Sequence, residues 1–105
     1  MATTIHDPHP ADLAGTWQRR EPSAPCAARY AARLQLEPRG LYTGQAAVPG
    51  EFTWWDAGTW RVKDAATLVL SVANDEVVDY RFELRGDRLA ITDRDGCRVE
   101  YQRSA

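Results

Sequence analysis

The sequence predicts an all-β chain: eight short antiparallel strands in an up-and-down meander that closes into one barrel. Three observations carry this. Apolar and polar residues alternate over short runs, the pattern of strands with one buried and one wet face. Turn signals rich in Gly, Pro, Asn and Asp separate the runs. The 105 residues leave room for one domain with one modest core, since a chain of this size buries only about 60% of its unfolded surface. A meander exposes two edges unless it closes, and eight strands is a number at which closure leaves space for side chains or one small ligand.

The elements follow in chain order. Residues 1–12, MATTIHDPHPAD, hold two prolines, two histidines and no apolar pattern, and read as a mobile N-terminal tail to a barrel spanning 13–105. The first strand is expected at Leu13–Arg20. The segment 21–31, EPSAPCAARYA, is the one long irregular connection, with an Ala-rich stretch fit for one helical turn. The second strand, Ala32–Glu37, alternates Leu34 and Leu36 with polar partners, and Pro38-Arg39-Gly40 turns it into the third, Leu41–Val48. After Pro49-Gly50 the fourth is expected at Phe52–Lys63. The fifth, Thr67–Ala73, is apolar on both faces, which points to a partner surface or a covering segment outside it. Asn74-Asp75 leads to the sixth, Glu76–Leu84, where Val78, Tyr80, Phe82 and Leu84 alternate with Val77, Asp79, Arg81 and Glu83. Arg85-Gly86-Asp87 leads to the seventh, Arg88–Thr92. Asp93-Arg94-Asp95-Gly96 leads to the eighth, Cys97–Arg103.

Composition excludes several functions. With 13 basic and 15 acidic residues the net charge is -2, so no large basic field exists for nucleic acid. No apolar run approaches the roughly 18 residues of a membrane helix. The opening residues lack the basic-then-apolar pattern of a secretory leader, which suggests the cytoplasm, or an exported protein if a leader has been removed. Twelve of the 13 basic residues are Arg and Ala is frequent, a bias expected of a GC-rich bacterial genome. Both histidines, His6 and His9, fall in the tail, so a catalytic triad inside the barrel lacks its base. Ser23, Ser71 and Ser104 have no nucleophile-elbow context, and neither a phosphate loop nor zinc spacing is present. No metal site and no cofactor are expected. Arg85-Gly86-Asp87 reads as turn chemistry.

The first strand carries Leu13-Ala14-Gly15-Thr16-Trp17, and Gly58-Thr59-Trp60 repeats the Gly-x-Trp pattern on the fourth. A Gly-x-Trp opening an eight-stranded meander resembles the calycin group of small barrels, which includes lipocalins, avidin-like barrels and bacterial lipocalin-like barrels. The resemblance covers roughly 13–103 as architecture and only these few residues as motif. It implies that Trp17 plugs one end of the barrel, with a late basic residue, here Arg103, packed across its ring for about 0.5–2 kcal/mol of cation–π attraction. The chain is much shorter than a typical lipocalin and has no room for that family's C-terminal helix, so a deep pocket is not implied. Without an interior His it also departs from the haem-binding barrels of similar architecture.

Closure sorts the loops into two ends. The turns at 37–40, 63–66 and 85–87 gather with the termini at the end sealed by Trp17 and Arg103. The connections at 21–31, 48–51, 73–77 and 93–96 gather at the other, the expected mouth, with 21–31 across it as a short lid. Ligands of such barrels enter the mouth, so the expected ligand-binding residues are Tyr30, Trp54, Asp56, Asn74, Asp75, Tyr80 and Tyr101. If the fourth strand is regular, Asp56 shares the inward phase of Phe52, Trp54 and Trp60, and becomes an acid/base candidate with Tyr80 or Tyr101. If the chain bulges at Asp56-Ala57-Gly58, Asp56 turns outward. Asn74 and Asp75 either orient a ligand or cap their own turn. Cys26 and Cys97 fall at the same end on strands that closure makes neighbours; a disulfide there and two reduced thiols both remain open.

Three functions are weighed. The first is a barrel that binds a small hydrophobic or aromatic molecule, which needs a mouth not filled by the protein's own side chains. The second is a small cyclase or isomerase of a secondary-metabolic pathway built on Asp56 with a tyrosine. The third is a protein-binding module, such as a protease-inhibitor-like barrel, acting through residues 1–12. Either a monomer or a homodimer is compatible with the sequence.

Overall fold

The computed structural model describes residues 10–72 and 74–104. Eight antiparallel strands pair in sequence order, and the last returns to the first: β1 (Gly15–Arg19), β2 (Arg33–Leu36), β3 (Leu41–Gln45), β4 (Ala57–Asp64), β5 (Thr67–Ser71), β6 (Val77–Arg85), β7 (Arg88–Thr92) and β8 (Arg98–Ser104) form a closed barrel. The up-and-down order follows from tight connections, since a strand that turns within a few residues can pair only with its immediate predecessor.

Alternation decides what fills the barrel. Leu34 and Leu36 on β2, Tyr80 and Phe82 on β6, Leu89 and Ile91 on β7, and Val99 and Tyr101 on β8 are all buried, while the residues between most of them face water. Val69 is the instructive exception: it points away from the interior yet is only 3% exposed. It pairs with Arg61 on one side and Asp79 on the other, and the Lys63–Asp79 ion pair (3.0 Å) joins the two strands that flank it. Long side chains such as lysine can shield apolar surface with their stems while the charged head stays in water, and Val69 is buried on a face whose cross-strand neighbours are charged.

One end is sealed as the Gly-x-Trp reading expected. Trp17 and Arg103 are direct cross-strand partners, and the guanidinium carbon lies 4.3 Å from the indole centroid. Before β1, a single helical turn, α1 (Pro10–Leu13), lies against this plug. The Trp17 indole N–H donates to the Leu13 carbonyl at 2.9 Å, and Arg103 donates to the carbonyls of Asp12 (2.7 Å) and Ala14 (2.9 Å). The rest of the expected tail, residues 1–9, lies outside the described residues. On the second Gly-x-Trp, Trp60 is buried and its indole donates to the Glu37 carbonyl at 2.8 Å.

The largest departure concerns the fourth strand, expected from Phe52 and observed from Ala57. Residues 46–56 are a loop pinned at its far end by backbone contacts: Trp54 N–H donates to the Arg29 carbonyl (3.0 Å), and Gly44 N–H to the Asp56 carbonyl (2.6 Å). Within the loop Thr53 and Trp55 are buried, whereas on β4 the inward positions are Gly58, Trp60 and Val62. The phase slips by one residue between Trp55 and Gly58, and a one-residue slip exchanges the two faces. Trp55 therefore enters the core in place of Trp54. Phe52 is 62% exposed, Trp54 is 37% exposed, and Asp56 is exposed. The outward alternative for Asp56 is the one observed.

Candidate functional site

The second end of the barrel is plugged. Pro25 at its start favours a 3-10 turn over Pro25–Arg29, and Ala27, Ala31 and Tyr30 of this segment are buried in the core. Small alanines let the segment sit deep. Three fastenings hold it. Cys26 and Cys97 form a disulfide with a Cα–Cα distance of 6.0 Å. Arg19 follows Trp17 in the inward phase of β1, and its side chain is only 7% exposed. Its guanidinium donates to the carbonyls of Ala27 (2.9 Å) and Tyr30 (3.1 Å) and pairs with Glu21 (3.0 Å), so the buried charge is matched. Hydrogen bonds from Arg19 and then Ser23 hold the Glu21 carboxyl below the ordinary range.

The third fastening is Tyr30, whose hydroxyl donates to Asp93 Oδ2 at 2.5 Å. Asp93 Oδ1 accepts the backbone N–H groups of Asp95 (2.9 Å) and Cys97 (2.8 Å), which shapes the β7–β8 turn. Partial burial pushes the Asp93 carboxyl up. The hydrogen bonds from Tyr30, Cys97 and Asp95 outweigh this and leave it net below its ordinary range.

Beneath the plug, Trp55 is fully buried between Tyr30 (centroids 4.1 Å apart) and Tyr80 (5.3 Å, edge-to-face), with Tyr101 at 6.4 Å. Its indole N–H has no hydrogen bond of normal geometry among the described residues; the polar group it acts on is the Tyr80 hydroxyl. Burial pushes the phenols of Tyr30, Tyr42, Tyr80 and Tyr101 upward. Tyr101 donates to the Ala31 carbonyl at 2.7 Å, and Tyr42 donates to the Ser71 carbonyl. The interior is therefore occupied by the protein's own aromatic side chains. The mouth expected to be open is thus filled, beneath the plug, by the protein's own side chains.

Outside the plug lies an open depression of about 300 Å3, at the lower limit of ligand-pocket volumes. Tyr30, Trp54, Asn74 and Tyr80, four of the seven expected ligand residues, line it together with the apolar side chains Val72 and Val78. Asn74 also caps its own turn by accepting the Glu76 N–H (3.2 Å), and Asp75 occupies the left-handed position of that turn with φ of 67°. Asp75 is not among the lining residues, and Tyr101 is sealed beneath. Asp56 lines a separate depression of about 490 Å3 formed by the 46–56 loop and the end of β3; it accepts the Ala57 N–H (2.7 Å), and its charge bears on Tyr42. The structure does not bring Asp56 together with Tyr80 or Tyr101, because the phase slip carries it out of their row. Charged residues complete the rim depression: Arg29, Glu76, Asp93, Arg94 and Asp95. The first lies on the plug and the rest in turns. Asp93 carried the one legible signal, an Asp opening an Asp-x-Asp-Gly turn at the mouth. Among the described residues no group of three or more His, Cys, Asp or Glu could hold a metal ion, and no helix is long and apolar enough to cross a membrane.

No family model, no curated protein and no solved structure matches the chain.

Proposed function

We propose that this calycin-like barrel is a binding protein that takes a small molecule with an apolar or aromatic body at its rim, outside the plugged interior. The observation that carries the reading is the convergence of Tyr30, Trp54, Asn74 and Tyr80 with Val72 and Val78 in one depression of about 300 Å3. Most small-molecule sites combine this kind of apolar lining with a few placed polar groups. A larger depression beside Leu41, about 640 Å3, combines Leu36 and Leu41 with Gln35, Glu37 and Arg39 but has no aromatic side chain. The acid/base reading loses support, because Asp56 lies in a different depression from Tyr80, and Tyr101 is fully buried.

The test is a two-dimensional NMR titration of the full chain with a set of small aromatic fragments. Binding at the rim is expected to shift the Trp54 indole and the backbone around Tyr30, Asn74 and Tyr80. Trp54→Ala is expected to abolish the shifts while leaving the dispersed barrel spectrum intact. Shifts confined to other faces, or full binding by the Trp54→Ala variant, would overturn the reading.

A further inference from the structure

The rim depression leaves one property of its ligand to be decided: the sign of its charge. We infer that the ligand is an organic cation, an amine on an aromatic or apolar body, with its ammonium held between the phenols of Tyr30 and Tyr80 and the Asp93 carboxylate. This rests on the reading of the depression as a ligand site.

The lining carries three carboxylates, Glu76, Asp93 and Asp95, against two guanidiniums, Arg29 and Arg94. Position matters more than the count. Asp93 is fixed in place by its three accepted hydrogen bonds, with one oxygen 2.5 Å from the Tyr30 hydroxyl. Those bonds also keep it ionised. At Tyr30 the Asp93 charge acts more strongly than that of Arg29, and at Tyr80 more strongly than that of Arg94, where Glu76 adds to it. Arg29 meanwhile turns its Nε toward the Cys26 carbonyl of its own turn (3.4 Å). An anion brought to the two phenols meets a net negative field, whereas an ammonium meets an attractive one. Apart from the Trp55 indole behind it, the Tyr80 hydroxyl has no partner among the described residues, so its oxygen is available to accept an N–H. The Trp54 ring, 37% exposed at the same rim, supplies an aromatic surface of the kind that attracts cations.

Phenethylamine, phenethyl alcohol and phenylacetate share one body and differ in charge. Titrated into the full chain, phenethylamine is expected to bind about tenfold tighter than phenylacetate, with shifts at Tyr30, Trp54 and Tyr80. Added salt should narrow that gap, and Glu76→Gln should weaken the amine about threefold. Equal or tighter binding of phenylacetate, or an alcohol as tight as the amine, overturns the charge assignment while leaving the rim site standing. Failure of all three probes to perturb the depression overturns both.

Discussion

Gly44 and Gly58 show how much single positions matter in a barrel this small. A Cβ at Gly44 would overlap the Trp55 carbonyl, and one at Gly58 would overlap the Ser71 hydroxyl. The Trp55 carbonyl belongs to the loop that carries the central indole, so Gly44→Ala must move that loop. A loss of about 3 kcal/mol is expected, read from the denaturant midpoint. Arg103→Gln removes the cation–π contact, two carbonyl caps and an ion pair with Asp87 (3.4 Å), and should cost about 2 kcal/mol. The titrating residues set the pH limits. Asp93 is held below its unfolded value, so its contribution is present above the ordinary carboxylate range and is lost as pH falls through its lower folded value. Asp93→Asn should therefore flatten the acid limb of stability against pH. The buried tyrosines run the other way. Their folded values are raised, so their contribution is full below the ordinary tyrosine range, near pH ~10, and is lost above it. Phenolate absorbance should appear together with loss of the β-sheet dichroism; phenolate forming in a still-folded barrel would contradict this.

At the scale of elements, the eight strands were legible because alternation and turn residues agree at nearly every step. Trp17 and Arg103 were legible as a pair because the calycin resemblance implies such a contact and antiparallel closure brings the start of β1 opposite the end of β8. The tryptophan pair 54/55 was not. Gly58 marked a bulge at 56–58 as one alternative, but nothing in Phe52-Thr53-Trp54-Trp55-Asp56 says which tryptophan enters the core, since both phases offer an aromatic residue to the interior. The observed phase goes with a hydrogen bond from Trp54 N–H to the Arg29 carbonyl, a group of another segment. The plug was half legible: two cysteines at one end allowed a bridge, but its depth depends on Arg19 finding two carbonyls that exist only once the 3-10 turn has formed. The bridge spans a sequence separation of 71, for which loop-closure entropy predicts about 4 kcal/mol. Replacing both cysteines by Ala should lower the unfolding free energy by about 4 kcal/mol and the melting temperature with it. It should also raise hydrogen exchange in 25–31 before the strands, because this segment loses its covalent tie while every strand keeps its ladder partners. A variant with unchanged protection in 25–31 would show the disulfide to be redundant there.

For the whole molecule, closure makes the two ends of the described chain interdependent. Trp17 faces Arg103, and Arg19 faces Tyr101. Removing β8 would leave β1 and β7 as open edges and take Val99 and Tyr101 from the core, so no dispersed spectrum is expected from a chain cut before Arg98. The same pairing has a consequence for how the protein is made. While the ribosome is still elongating the chain, β1 has no partner on one side, and it keeps that bare edge until the residues of β8 emerge. The Cys26–Cys97 bridge and then the Trp17 plug wait as well, because each needs a group from the last strand or its turn. The barrel is thus finished only near the end of synthesis of this segment, and its most vulnerable interval falls before that point, in the cell's handling of the nascent chain.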